Sequence, residues 1–324
     1  MAIALNSSTL VTVFGGSGFI GRYVVQALAK TGCRIRVAVR RPDLANFLMP
    51  LGGVGQIHAV QANLRYEGSI RRAVEGADGV VNLVAVLQQS GKQTFHALQG
   101  VGAGLVARAA REAGVKGFVH VSAIGANRQS RSAYARTKAE GEDLVRRAFP
   151  SAVILRPSIV FGPEDHFFNR FAAMGRVSPL MPLIGGGKTR FQPVYAGDVA
   201  QAVVAGLDGR AKPGITYELG GPRAYDFREI LDLVADYTEH RRPYFPIPFW
   251  LAKLQGLFLQ VLPNAPLTLD QARMLQTDVV VSKEAENEAR TLADLGIEPR
   301  AVEGIVPSYL VRFRPKGEFS LRSV

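Results

Sequence analysis

Tyr134-Ala135-Arg136-Thr137-Lys138 sets a phenol and an ammonium four residues apart, with Ser122 twelve residues before the tyrosine. On a helix that spacing puts both side chains on one face. An ammonium there lowers the phenol pKa and offers a donor to a ribose hydroxyl. The phenol then gives or takes the proton that accompanies hydride transfer, while a serine hydroxyl steadies the reacting oxygen. Upstream, Gly15-Gly16-Ser17-Gly18-Phe19-Ile20-Gly21 lies between an apolar β-branched run and an Ala-rich helical stretch. In that strand–turn–helix setting Gly15 permits a tight turn and Gly18 lets the backbone approach a pyrophosphate. Gly21 lets the helix pack closely on the strand, and the helix N-terminus offers N–H groups to the phosphates.

The second strand ends in Val39-Arg40-Arg41, with no acid before Asp43. A site selective for NAD places Asp or Glu there for the adenosine ribose hydroxyls. Two guanidiniums suit a 2′-phosphate instead, so NADPH is the expected cofactor and NADP is favoured over NAD. Open α/β sheets place ligands at the carboxyl ends of their strands. Asn63 and Leu64 after the third strand, Val84, Ala85 and Val86 after the fourth, and Pro157 and Ile159 on the sixth are therefore expected to line the same crevice, along with Ser122, Tyr134 and Lys138.

The elements that must position these residues are legible as an alternation. Short β-branched runs predict strands at 10–14, 34–39, 56–61, 79–84, 117–122 and 152–159, with helices at 18–30, 69–75, 103–113 and 134–148 between them. Continuous apolar runs such as VVNLVAV suit a parallel sheet covered on both faces. Beyond Gly162 prolines and glycines multiply, which marks loops leaving the sheet. A further strand over 215–219 is followed by a helix with Asp226 as its N-cap. The fold class is thus α/β, a Rossmann doubly wound parallel sheet with a smaller, discontinuous C-terminal α/β domain. Residues 1–162 form the NAD(P)-binding domain, with return segments at about 192–220, and 163–324 form mostly the smaller domain. The last ten residues read as a weakly ordered tail.

The chain has 324 residues, 47% of them hydrophobic, and a net charge of +12. No run reaches the ~18–20 apolar residues that a membrane-spanning helix needs, and the N-terminus lacks the basic region of a cleaved signal. Cys33 is the only cysteine, which excludes an internal disulfide and a cysteine-built cluster. Redox chemistry would belong to a bound organic cofactor. The basic residues are not interleaved with aromatics in any nucleic-acid module, so no nucleic acid is expected. An anionic phosphate cofactor, an acidic protein and an anionic membrane surface all remain open as the reason for the charge.

GGSGFIG, the Ser–Tyr–Lys set and a late ELGGP strand resemble the extended and atypical short-chain dehydrogenases. Residues 122–142 (SAIGANRQSRSAYARTKAEGE), 161–172 (FGPEDHFFNRFA), 192–200 (QPVYAGDVA) and 243–252 (PYFPIPFWLA) resemble one group among them. This group is the nucleotide-binding accessory subunits of respiratory complex I, alpha subcomplex subunit nine, in bacterial form. The resemblance covers about residues 10–312 and is most specific in FGPEDHFFNRF. It implies a structural subunit of NADH:ubiquinone oxidoreductase in the respiratory electron-transport chain. That subunit holds NADPH at the junction of the peripheral and membrane arms, near the quinone site. Its partners would be other complex I subunits and an anionic phospholipid surface, and it would sit peripherally on the cytoplasmic face of the bacterial inner membrane, or the matrix side in a mitochondrion. Ser122, Tyr134 and Lys138 would then be vestigial or cofactor-holding. The sequence departs from sugar-modifying relatives: Ser122 is followed by Ala-Ile-Gly, without a dehydratase's Ser/Thr-Asp-Glu set, and Asn63 stands where Asp is common. The other reading is a free-standing NADPH-dependent reductase or epimerase working through Tyr134.

Two segments remain. Residues 249–262 (FWLAKLQGLFLQVL) carry Trp250, Leu251, Leu254, Leu257, Phe258 and Val261 at helical spacing, bracketed by Pro243, Pro246, Pro248 and Pro263. The run is too short to span a bilayer and suits either docking or the small domain's core; the prolines argue for a rigid, protruding element, which favours docking. Glu164, Asp165 and His166 lack an accompanying cluster at metal-ligand spacing, so no metal is expected and the three should play a structural part at the domain hinge, bonding exposed backbone.

Overall fold

A computed structural model describes residues 2–260 and 267–317; Val261, Pro263 and most of the tail lie outside them. Two compact units emerge. The first comprises 1–157, 196–219 and 281–298, and the second comprises 158–195, 220–280 and 299–324. The first unit thus gives way to the second at 157/158, against the sequence boundary near 162, and 281–298 joins the first unit. There Arg290 donates to the Thr216 carbonyl at 3.1 Å and Ser282 N–H donates to Glu218 at 2.8 Å, fastening that segment to the sheet's edge.

The first unit is built on β1 (Leu10–Phe14), α1 (Phe19–Ala29), β2 (Arg34–Val39), β3 (Ile57–Gln61), α2 (Glu67–Val74), β4 (Gly79–Asn82), α3 (Gly102–Glu112), β5 (Gly117–Val121), α4 (Ala133–Ala148) and β6 (Val153–Pro157). With strand Thr216–Leu219 they form one seven-stranded sheet, ordered from that strand through β6, β5, β4, β1 and β2 to β3. Every pairing in it is parallel. The order reverses between β1 and β4, which opens a crevice at their carboxyl ends. Phe14, Leu64, Ile70, Val80, Val106, Phe118, Val145 and Phe149 make one continuous core, and α1 packs with helix Ala196–Asp208. Burial on both sides explains why β4 and β5 show no polar alternation.

β4 stops at Asn82 rather than at 84 because the Asn82 carboxamide takes the Val84 N–H at 3.2 Å, turning the chain out of the ladder. Glu142, fully buried, receives two bonds from Arg156 at 2.8 and 2.7 Å. This pair ties α4 to β6 and so fixes the height of Tyr134 and Lys138.

The second unit has an aromatic core of Phe161, Phe168, Phe191, Tyr225 and Phe227, with Ile230, Val234, Val302 and Leu310. Phe167 and Phe171 add ring contacts with Phe227. FGPEDHFFNRF is therefore this unit's structural centre. The Asp165 carboxylate accepts from the N–H groups of Gly162, Phe167 and Asn169 and from the Tyr309 hydroxyl at 2.6 Å. Asp226 caps helix Phe227–Thr238, and its N–H donates to Glu229 at 2.7 Å. Helix Phe249–Leu259 turns its small residues Ala252 and Gly256 inward. A Cβ on Gly256 would lie 2.7 Å from Leu269 N, so this helix packs closely on its neighbour. Its large residues face out: Trp250 and Phe258 are each 68% exposed, Leu254 45% and Leu257 47%. Among the described residues no helix is long and apolar enough to cross a membrane.

Candidate functional site

The glycine loop closes β1 onto α1. Gly15 has φ +80°, a left-handed conformation that disfavours other residues. Gly18 occupies the N-cap position of α1 with extended backbone, and no side chain caps the helix. A Cβ at Gly18 would meet only Gly15 O, at 3.3 Å, so the backbone there is open to a close-lying group. Gly21 acts differently from the sequence expectation. Its Cβ would lie 2.4 Å from Gly15 O and 2.6 Å from Gly16 C, so it admits the loop rather than the strand. The contact with sheet side chains falls to Gly16, whose Cβ would lie 2.9 Å from Val37 Cγ1. Sequence reading gave Gly16 no role, although its place in the glycine run was visible. Ser17, Phe19 and Ile20 are half-buried around this turn.

Val84 meets the loop from β4: its Cγ2 would be 3.3 Å from a Cβ on Gly15. Ala85 is exposed, and Val86 N–H donates to Gln99 at 3.1 Å. Gln99, buried in a run of small residues, also donates to Thr137 at 3.3 Å and links this loop to α4. It too was missed, although a lone amide in an Ala/Gly-rich stretch is a usable signal. Asn63 folds the turn into α2. Its Oδ1 accepts from Arg65 N–H at 3.1 Å, and its carbonyl accepts from Ser69. Leu64 is core, Pro157 ends β6, and Ile159 packs into the second unit's own core.

Arg40 and Arg41 are both exposed beyond β2. Arg40 bonds the Gln93 carboxamide, whereas Arg41 makes a forked pair with Asp43 at 2.7–3.2 Å. Of the two, Arg40 has no acid among the described residues competing for it.

Ser122 follows β5, and its N–H continues the ladder to Leu155 O at 2.7 Å. Ser132 caps α4 by accepting from Ala135 N–H at 3.3 Å, which places Tyr134 in the first turn and Lys138 one turn on. A Cβ on Gly141 would lie 2.0 Å from Gln99 O, so α4 approaches its neighbour only because glycine stands there. Lys138 is buried and donates to Val121 O at 3.0 Å, with its ammonium 5.9 Å from the Tyr134 ring centre. Phe95 packs edge-on against that ring at 5.8 Å. Burial pushes the Lys138 ammonium down to about 8, against the pull of Glu142. The lowered phenol expected of a lysine-assisted tyrosine is not what this environment gives, because burial pushes Tyr134 up to about 12. Among the described residues no cluster of His, Cys, Asp and Glu is placed to hold a metal ion.

Residues 11–220 match the NAD dependent epimerase/dehydratase family. The chain is similar to the mitochondrial NADH dehydrogenase (ubiquinone) 1 alpha subcomplex subunit 9 of Arabidopsis thaliana, with 35% identity covering 96% of this chain and 79% of that one. It is also similar to the subunit 9 of Mus musculus, with 33% identity covering 92% and 78%. In fold it resembles the Escherichia coli NADPH-dependent quinone oxidoreductase solved with NADPH. There the TM-score is 0.71 at 19% identity, covering 93% of this chain and 99% of that one.

Proposed function

The chain belongs to the NAD dependent epimerase/dehydratase family and, within it, to the alpha subcomplex subunit 9 proteins of NADH dehydrogenase (ubiquinone); from that premise we propose that it is an accessory subunit that holds NADPH without turning it over. Its place is at the junction of the peripheral and membrane arms of complex I, near the quinone site, among other subunits and against an anionic phospholipid surface. It sits on the cytoplasmic face of a bacterial inner membrane, or the matrix side in a mitochondrion.

The observation that carries the accessory-subunit reading is the 35% and 33% identity to the subunit 9 proteins over 96% and 92% of this chain. A proton-transferring tyrosine works best when its pKa approaches the working pH, and burial takes this phenol the other way, to about 12. The residues still suit a dinucleotide. The α1 N-terminus is open at Gly18, and on this reading Arg40 takes a 2′-phosphate and Lys138 a ribose hydroxyl. Docking is supported by helix Phe249–Leu259, which exposes its bulky apolar side chains. Such a face sits favourably at a membrane interface or against apolar subunits.

Tyr134→Phe in the assembled complex tests the reading. Quinone reduction should stay within about twofold of wild type, while Gly18→Val costs bound NADPH and assembly. A turnover loss of ~10² or more with assembly intact, the size expected when a general acid is removed, would favour the reductase reading, for which the retained Ser122, Tyr134 and Lys138 speak.

A further inference from the structure

His120 and Ser122 are buried on β5 and just beyond it, and the His120 Nε2 and Ser122 Oγ atoms have no hydrogen-bond partner among the described residues. Buried polar atoms are rarely left so without a water or ligand to satisfy them. Side chains two apart on a strand share a face. Phe118, on that same face, lies in the core shared with residues of α3 and α4. Ser122 Oγ and His120 Nε2 thus belong to the side of the sheet that carries Tyr134 and Lys138.

The chemistry of the neighbours fixes the direction of every bond. Asn82 stands opposite His120 on the adjacent strand. Val84 N–H can only donate, so the atom it meets at 3.2 Å is the Asn82 carbonyl oxygen. The other carboxamide atom, an NH2, faces His120 Nδ1 at 3.3 Å. Nδ1 must then accept, and a neutral ring carries its proton on Nε2. The ring is neutral because burial, with the charges of Lys138 and Arg146 on α4, holds it at about 3. Glu142 on the same helix is engaged by Arg156 of β6. His120 therefore presents an unsatisfied N–H donor. The two side chains are neighbours on one face, so a single water accepting from one and donating to the other satisfies both orphaned atoms.

We propose that His120 is a positioning residue of the dinucleotide site, held by Asn82 as the Nε2–H tautomer, and that one internal water joins its N–H to the Ser122 hydroxyl. The water accepts from His120 and donates to Ser122 Oγ, so the serine directs its own proton towards the ligand. Ser122 becomes a donor by construction, suited to a carbonyl or carboxamide oxygen. This inference rests on the reading of Ser122 as a residue of the nicotinamide side.

Long-range 1H–15N correlation spectra of the histidine-labelled full chain, without cofactor, test the chain of bonds. His120 is assigned by the peak lost in His120→Gln. The result expected is a neutral Nε2–H ring between pH 6 and 8, with a cross-peak from that proton to a long-lived water. Ser122→Ala should move the Nε2–H shift and weaken the water cross-peak while the tautomer stays. Asn82→Asp should move the ring proton to Nδ1. An Nδ1–H ring in wild type, or an Nε2–H indifferent to Ser122→Ala, overturns the proposal. NADPH titration separates this from the cofactor reading. His120→Gln, which restores an N–H donor, should bind within about twofold of wild type, and His120→Leu should bind about tenfold more weakly. Equal loss in both contradicts positioning, whereas no binding by wild type contradicts the cofactor reading alone.

Discussion

Arg40 and Arg41 leave β2 side by side and meet different company. Arg41 is already committed to Asp43, while Arg40 meets only a neutral carboxamide. Arg40→Ala should therefore weaken NADPH on the order of tenfold to a hundredfold, the range of a lost charge-assisted bond, with little change for NADH. Arg41→Ala should do much less. Titration of both cofactors against both variants checks this, and equal losses for NADPH and NADH would remove the 2′-phosphate from the account. Lys138 gives a second expectation, in pH. Its ammonium has a folded pKa near 8 against an ordinary 10.5, so between those values the unfolded chain binds more protons and stability rises with pH. Tyr134, raised from 10 to about 12, acts with the opposite sign at higher pH, where the folded phenol keeps a proton the unfolded one releases. Urea unfolding of wild type and Lys138→Met between pH 8 and 10 isolates the lysine. The wild type should gain steadily on the variant as pH rises, and a constant difference would mean the ammonium is not desolvated. Both residues were legible from spacing, but their pKa directions were not. Position along a helix says which face a side chain takes, whereas burial depends on what packs over it, and Phe95 lies about forty residues upstream of Tyr134.

At the scale of elements, the glycine loop separates two kinds of glycine. Gly18 is open to its surroundings and Gly21 is filled by loop backbone. Gly18→Ala should leave the fold intact and cost cofactor affinity. Gly21→Ala should distort the loop itself, lowering the melting temperature as well as abolishing binding. Thermal unfolding without cofactor tells them apart, and equal stability in both variants would contradict the 2.4 Å approach. The strands of the sheet were legible because each is a short apolar run between turn residues. Their ends were less so, since a side chain ended β4: the Asn82 carboxamide captured a backbone N–H that periodicity assigns to the strand. The same carboxamide orients His120. Helix Phe249–Leu259 was legible as apolar and helical, and its flanking prolines pointed to a protruding element, but which of its residues turn inward was not legible. Ala252 and Gly256 face inward because close packing on Thr268 and Leu269 needs small residues, which leaves the bulky ones outside.

For the whole molecule, membership among the subunit 9 proteins, the +12 charge and that outward apolar helix are what the proposed assembled, membrane-facing role rests on. Each Lys or Arg near an anionic surface adds about 1 kcal/mol, and the apolar face adds burial. Trp250→Glu combined with Leu254→Glu should release the chain from membranes while it still binds NADPH. Fractionation with nucleotide content of both fractions reads this out, and unchanged membrane association would remove the helix from the docking surface. The central claim is narrower: a resident cofactor in a resident subunit. Its most direct measurement is native electrophoresis of detergent-solubilised membranes, followed by quantification of this chain and of acid-released nucleotide in the complex I band. The account predicts the chain in that band with one NADP(H) for each copy. A chain that migrates alone, or one that enters the band carrying no nucleotide, would contradict it.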